Sequence, residues 1–188
     1  MVINKDDIRE QLKKIRWSIP DNERRIMSIQ ICKNIIQEIK EKENILVYCA
    51  KTPEVETCWL IDYLLSAKIR VVVPIIEKKN LSLRLSYIFT QDVLMPSTFQ
   101  VPEPIYNEIT AEAEDLSTVI LPILGFDNKG GRIGYGAGYY DRFLSQNTHI
   151  RKIGIAYSYQ EISDVPMQDH DIPMDIIITE KKVFRCNQ

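Results

Sequence analysis

The sequence predicts a single α/β domain, residues 1–188, built on a mostly parallel sheet with helices on both faces. Three observations carry that expectation. Compact apolar runs of strand length recur: ILVYC at 45–49, IRVVVPII at 69–76, VILPIL at 119–124, KIGIAY at 152–157 and DIIIT at 175–179. The first two are separated by about one helix, the spacing of a βαβ unit. A glycine-rich segment follows the run at 119–124 directly, and ligand loops of such sheets leave the carboxyl ends of the strands.

The remaining elements follow in order. Residues 4–17 predict a short helix whose stripe is Ile8, Leu12 and Ile15, edged by Lys5, Arg9 and Arg16. Pro20 breaks it, and Asp21 or Asn22 is available to cap a second helix over 23–40 that buries Ile29, Cys32, Ile36 and Ile39. A third helix is expected over 56–67, with Thr52 as a cap and Glu54 and Glu56 suited to its first turn. The alternating run LSLRLSYIF at 81–89 fits a hairpin strand, and 90–118 is broken by Pro96, Pro102 and Pro104.

Composition narrows the class of function. The chain has 188 residues, 45% hydrophobic and 27% charged, enough for one substantial core. A net charge of -2 gives no general attraction to nucleic acid or an anionic membrane, so neither is expected as a partner. MVINKDDIREQL has no apolar signal core, and no run approaches a membrane span, so a cytoplasmic protein is expected. Cys32, Cys49, Cys58 and Cys186 form neither a CxxC nor a close metal-binding pair, and Cys32 and Cys49 lie in apolar segments where a small buried side chain is the natural role.

Chemistry concentrates at 125–144, GFDNKGGRIGYGAGYYDRFL. Gly130, Gly131, Gly134, Gly136 and Gly138 fall within nine residues. Glycines let backbone N–H groups approach an anion, a helix starting near Gly138 adds its positive end, and Arg132 and Arg142 add charge. That combination suits phosphate. No GK[ST] follows, and GxGxxG is not met, so neither the P-loop nor the dinucleotide pattern applies. Asp141 and Asp171 are candidates for magnesium, which binds with nucleotides through one or two carboxylates; a helix-dipole role for Asp141 and a solvated turn for Asp171 are the alternatives. Burial of both acids without metal predicts raised pKa values. Lys5 and Arg9 are spaced i,i+4, suited either to clasping a polyphosphate or to an ordinary solvated face. One acid of PEVET at 53–57 is explained by capping; the other is free to point into a cleft and recognise ring N–H groups.

The GRxGYGxGYYDR core, with KDDIREQLKKIR at 5–16, EVET at 54–57, VPEP at 101–104, KIGIAYSYQ at 152–160 and VPMQDHDIPMDIIITE at 165–180, closely resembles the 5-formyltetrahydrofolate cyclo-ligases, also called methenyltetrahydrofolate synthetases. Where that family commonly has Pro-Gly-x-Ala-Phe-Asp, this chain has PILGFD, with Ile123 and Gly125 as departures. The resemblance implies a three-layer α/β fold of the sugar-phosphate isomerase and CoA transferase-like group. It implies a monomer acting on ATP and 5-formyltetrahydrofolate with magnesium, whose formyl oxygen takes the γ-phosphoryl group before N10 closes the ring. It assigns Lys5, Arg9, Arg132, Gly134, Tyr135, Gly136, Gly138, Tyr139 and Tyr140 to ATP. Arg132 and Tyr140 are assigned to catalysis, and Lys51, Glu56, Tyr135, Tyr139 and Tyr140 to the folate. Asp141 and Asp171 are assigned to the metal. Two rival readings are a sugar-phosphate isomerase, distinguished by turnover without ATP, and a binding regulator, distinguished by binding without product.

Overall fold

A computed structural model describes residues 4–40 and 42–186. Four helices are present among them: α1 (Lys5–Ser18), α2 (Asp21–Ile36), α3 (Cys58–Ser66) and α4 (Tyr139–Gln146). The main sheet has seven strands: β1 (Asn44–Val47), β2 (Arg70–Glu77), β3 (Ser82–Ile88), β4 (Thr118–Pro122), β5 (Arg151–Ile155), β6 (Ile176–Ile178) and β7 (Val183–Arg185). Their spatial order is β7-β6-β5-β4-β1-β2-β3. The five central strands are parallel, while β3 and β7 run antiparallel at the two edges.

Strand alternation divides the core. Ile45, Val47, Val71, Val73, Ile120, Ile153 and Ile178 point to the side that packs Ile31 and Ile35 of α2 and Leu60, Ile61 and Leu64 of α3. Leu46, Val72, Val119, Leu121 and Ile177 face the other way, onto Phe143 and Leu144 of α4. Helices therefore cover both faces of a mixed sheet, as expected. From β1 the chain moves through α3 to β2, then returns to place β4 on the opposite side of β1. The carboxyl ends of β1 and β4 border that switch in direction, where α/β sheets open a ligand crevice.

Several helical expectations need correction. In α1, Ile8 and Leu12 are buried against Leu124, Ile133 and Val165, but the third buried position is Arg16; Ile15 is 41% exposed. Asn4 caps this helix by accepting from the Asp6 N–H. The second helix starts at Asp21 behind Pro20, with no side-chain cap, and ends at Ile36. Its buried residues are Arg24, Ser28, Ile31, Cys32 and Ile35, with Ile36 and Ile39 only partly covered. Apolar residues at 26, 27, 29, 31, 32, 35 and 36 nearly encircle α2, so its pattern selects no face. The third helix begins at Cys58, leaving both Glu54 and Glu56 in the preceding loop. Thr57, rather than Thr52, braces its start: the hydroxyl donates to the Tyr48 carbonyl at 2.8 Å and accepts from the Ala50 N–H at 3.2 Å.

The edge strand β7 was not anticipated, since VFR is too short to read as a strand by itself. Glu38 ties it to the domain by accepting from Arg185 at 2.7 Å and from Arg151 of β5 at 3.0 Å. The hydrogen bond from Arg185, outweighing partial burial, holds the Glu38 carboxyl below the usual range. A two-residue hairpin, Gly125–Phe126 against Arg132–Ile133, carries the glycine segment away from β4. Its turn is organised by Asp127, 2% exposed, whose carboxylate accepts from the N–H groups of Lys129, Gly131 and Val165, each at 2.9 Å.

Asp127→Ala should therefore destabilise the fold by on the order of 2–4 kcal/mol, because it leaves buried donors unpaired. Urea unfolding checks this: Asp127→Asn, which keeps one acceptor oxygen, is expected to lose less. An unchanged midpoint for the alanine variant would contradict the role given to this carboxylate.

Candidate active site

A cleft of about 1160 Å³ opens at the carboxyl ends of β1 and β4. It has a charged arm, formed by α1, the glycine loop and the turn before β6, and a more apolar arm, formed by the segment after β1, by β2 and β3 and by the loop carrying Phe99. Tyr135, from the glycine loop, and Tyr140, from α4, line the same cleft.

The charged arm is built by backbone geometry. Gly136 and Gly138 have φ of +100° and +68°, left-handed conformations that side chains other than glycine adopt with strain. Gly138 sits just before α4, so the loop turns sharply into a helix start whose free N–H groups favour an anion. Two arginines clamp this turn. Arg9 donates through Nε to the Gly134 carbonyl at 3.0 Å and pairs with Asp6. Arg142 reaches back from α4 to the carbonyls of Ala137, at 2.5 Å, and Leu81, at 2.8 Å, lying over the Tyr139 ring at 5.7 Å.

Asp141 and Asp171, thirty residues apart, are brought to the same place. Asp141 accepts from Arg132 at 2.6 Å and from the N–H of Ile172 at 3.2 Å. Arg132 also donates to the Ile172 carbonyl. Asp171 accepts from the Gln168 N–H at 2.7 Å and pairs with Lys5. Lys5 and Arg9 thus share a helix face but reach different walls of the cleft. The expected rise in acid pKa fails at Asp171. Burial pushes its carboxyl upward, but the Lys5 ammonium and the Gln168 N–H outweigh that and hold it below the usual range. Burial pushes the Arg132 guanidinium down, against the upward pull of Asp141.

At the apolar arm, the turn 51–54 brings Glu54, rather than the expected Glu56, to the cleft wall. Glu54, 6% exposed, lines the cleft, and Glu56 is not among its lining residues. The Glu54 N–H donates to the Lys51 carbonyl at 2.8 Å, and the Lys51 N–H donates to Glu54 Oε2 at 3.0 Å, folding the carboxylate inward. Glu56 lies two residues past this turn; its N–H donates to Ser28 Oγ at 3.0 Å, and its carbonyl faces Cys32. Burial raises the Glu54 carboxyl, opposed by hydrogen bonds from the Lys51 N–H and Tyr135 and by the charges of Arg16 and Lys51. Lys51 Nζ donates to the Phe99 carbonyl at 3.1 Å and lies 5.9 Å from the Tyr135 ring centre.

Arg16 stands behind this wall, only 2% exposed, donating to Tyr135 Oη at 2.7 Å and to the Ile123 carbonyl at 2.6 Å. The i,i+4,i+8 spacing of Ile8, Leu12 and Arg16 was the available signal for its burial. Burial raises the phenols of Tyr135 and Tyr140 well above their ordinary range. Tyr48, Pro74, Ile76, Leu83 and Phe99 complete the apolar arm with flat, non-ionic surface suited to a ring system. Phe99 had no sequence signal, since its place depends on a positive φ of 54° in an irregular loop.

Residues 2–180 match the 5-formyltetrahydrofolate cyclo-ligase family. A 5-formyltetrahydrofolate cyclo-ligase of Haemophilus influenzae is 27% identical over 182 residues, covering 93% of this chain and 97% of that protein. The NMR structure of 5,10-methenyltetrahydrofolate synthetase from Aquifex aeolicus superposes with a TM-score of 0.86 at 29% identity, covering 99% of this chain and 94% of the other. A 5,10-methenyltetrahydrofolate synthetase structure from Mycoplasma pneumoniae gives 0.75 at 25% identity, covering 95% and 99%. With a family match over residues 2–180 and one cleft that is suited to phosphate on one side and to a ring on the other, the chain belongs to the 5-formyltetrahydrofolate cyclo-ligase family.

Proposed function

We propose that ATP lies in the charged arm and the formylated folate in the apolar arm, with the reacting groups meeting beside Tyr135 and Tyr140. As a member of its family, the chain converts 5-formyltetrahydrofolate to 5,10-methenyltetrahydrofolate and consumes ATP to ADP and phosphate. The observation that carries the placement is the convergence of one anion-suited and one acid-bearing apolar arm in a single cleft.

The reaction needs activation of a poor electrophile. Nitrogen donation stabilises the N5 formamide carbonyl and makes its oxygen the nucleophilic atom. Attack of that oxygen on the γ-phosphorus breaks the bond to ADP and leaves a phosphorylated iminium. N10 then adds to the formyl carbon, its proton departs, and the C–O bond breaks to release phosphate and form the methenyl bridge. Such phosphoryl transfer depends on positioning and charge neutralisation more than on covalent help. Lys5, Arg9, Arg132 and the amides around Gly134, Gly136 and Gly138 supply these. Glu54, in place of Glu56, takes the role of accepting ring N–H groups, with Lys51, Tyr135, Tyr139 and Tyr140 bordering the same substrate.

Magnesium fits the donor set. Among the described residues no group of three or more His, Cys, Asp or Glu is placed to hold a metal alone. Two carboxylates suffice where nucleotide oxygens and water complete the shell. Asp141 and Asp171 are the residues that would hold it, and each already faces a cation, Arg132 and Lys5. Magnesium held there would neutralise phosphate charge, and Lys5 and Arg132 lie beside the two carboxylates to meet phosphate oxygens. The parallel centre with antiparallel edges supports the further grouping of the fold with sugar-phosphate isomerases and CoA transferases.

Two sets of variants test these placements. Lys5→Ala and Arg9→Ala should each lower kcat/KM for ATP by about 1.5–3 kcal/mol, with the KM for folate little changed. Unaltered ATP kinetics in both folded variants would contradict the charged-arm placement. Glu54→Gln should raise the dissociation constant of formyl-folate about tenfold or more, the scale of one charge-assisted hydrogen bond, while Glu56→Gln stays within about twofold of the parent. Calorimetric titration checks this, and the reverse ranking would return the role to Glu56.

A further inference from the structure

The run KIGIAYSYQ at 152–160 is singled out by the family resemblance, yet none of residues 157–160 lines the cleft. Tyr157 and Gln160, both fully buried, bridge its two walls from behind. Gln160 Oε1 accepts from the Tyr157 N–H at 2.9 Å. Its Nε2 donates to the carbonyls of Ile123, at 2.9 Å, and Leu124, at 2.6 Å, which fixes the 157–160 turn to the loop leaving β4. The Tyr157 hydroxyl reaches the other wall and donates to the main-chain carbonyl of Glu54 at 3.0 Å.

Residues 54–56 lie outside helix and strand, so their inward main-chain groups need side-chain partners. The Val55 carbonyl accepts from Tyr48 Oη at 2.7 Å, and the Glu56 N–H donates to Ser28 Oγ at 3.0 Å. Ser28 Oγ, also fully buried, lies 3.1 Å from Tyr157 Oη. A carbonyl only accepts, so the single Tyr157 proton goes to Glu54, and Ser28 supplies the proton between the two hydroxyls. One directed chain results, from the Glu56 N–H through Ser28 and Tyr157 to the Glu54 carbonyl. Ser28 belongs to α2 and Tyr157 follows β5, so a helix and the sheet grip the turn together. The Glu54 carboxylate is tied locally by the Lys51 N–H at 3.0 Å, and Tyr157 supplies the anchor remote in sequence. We propose that Tyr157, braced by Ser28, is a positioning residue for folate recognition: it fixes the main chain of Glu54 so that the carboxylate faces the cleft. This rests on the assignment of Glu54 to the folate.

The test is a double-mutant cycle on Tyr157→Phe and Glu54→Ala in the full chain, read by calorimetric titration with formyl-folate and by steady-state kinetics in ATP. Tyr157→Phe removes one hydroxyl and keeps the ring. It should raise the dissociation constant of formyl-folate about tenfold, the scale of one misplaced hydrogen bond, with the KM for ATP within about twofold. In the Glu54→Ala background the same change should add less than about twofold, because no carboxylate remains to position. Ser28→Ala should act in the same direction but more weakly, since Tyr157 keeps its bond to Glu54. If Tyr157→Phe does not fold, Ser28→Ala completes the same cycle. A purely structural role predicts a lower urea midpoint with folate affinity unchanged, and that result would overturn the proposal. So would equal losses for both substrates, or an undiminished loss in the Glu54→Ala background. Failure of the underlying assignment looks different: there Glu54→Ala itself leaves folate binding unchanged, and the proposal falls with it.

Discussion

The cleft depends on the pairing of Arg132 with Asp141. The Arg132 side chain is 5% exposed and joins three segments remote in sequence: the hairpin after β4, the first turn of α4, and the turn before β6. A guanidinium so placed is tolerable only with its hydrogen bonds made, and Asp141 and the Ile172 carbonyl make them. The glycine loop is thereby suspended between two fixed ends, the hairpin and α4. Its left-handed glycines set the course between them, and Arg9 and Arg142 hold the carbonyls that would otherwise let it drift.

The sheet supplies the second half of the arrangement. Because β2 and β4 leave β1 in opposite directions, the turn 51–54 and the loop after β4 border one crevice. Glu54 comes from the first of these and Arg16 is anchored to the second. Glu54, proposed to recognise the ring, and the loop that suits phosphate are thus fixed to neighbouring strands of one sheet. For a reaction in which the protein contributes no nucleophile, that fixed relation is the catalytic contribution. In the proposed placement it would bring a formyl oxygen and a γ-phosphorus into line without covalent participation.

Legibility in the sequence varied with how local the determining interaction is. The apolar runs at 45–49, 69–76, 119–124, 152–157 and 175–179 all lie on strands because burial on both faces of a parallel sheet leaves an unbroken apolar signal. The glycine cluster and Asp141 were legible for a similar reason, since turn and helix start are set within a few residues. Glu54 and Glu56 could not be separated, because the choice depends on a hydrogen-bonded turn and on α3 starting at Cys58. Arg16 stands at the edge of the α1 stripe in the sequence, and its burial depends on partners more than a hundred residues away. The lowered carboxyl of Asp171 was hidden for the same reason, its partner Lys5 being 166 residues distant.

Two ion pairs in the protein alone, Lys5 with Asp171 and Arg132 with Asp141, stand where the account puts magnesium and phosphate. A crystal structure with magnesium, a non-hydrolysable ATP analogue and a formyl-folate tests this most directly. The account predicts both carboxylates in direct or single-water contact with the metal, Lys5 and Arg9 on phosphate oxygens, and Glu54 accepting from the ring. A metal held elsewhere, with both carboxylates beyond single-water contact, would contradict it.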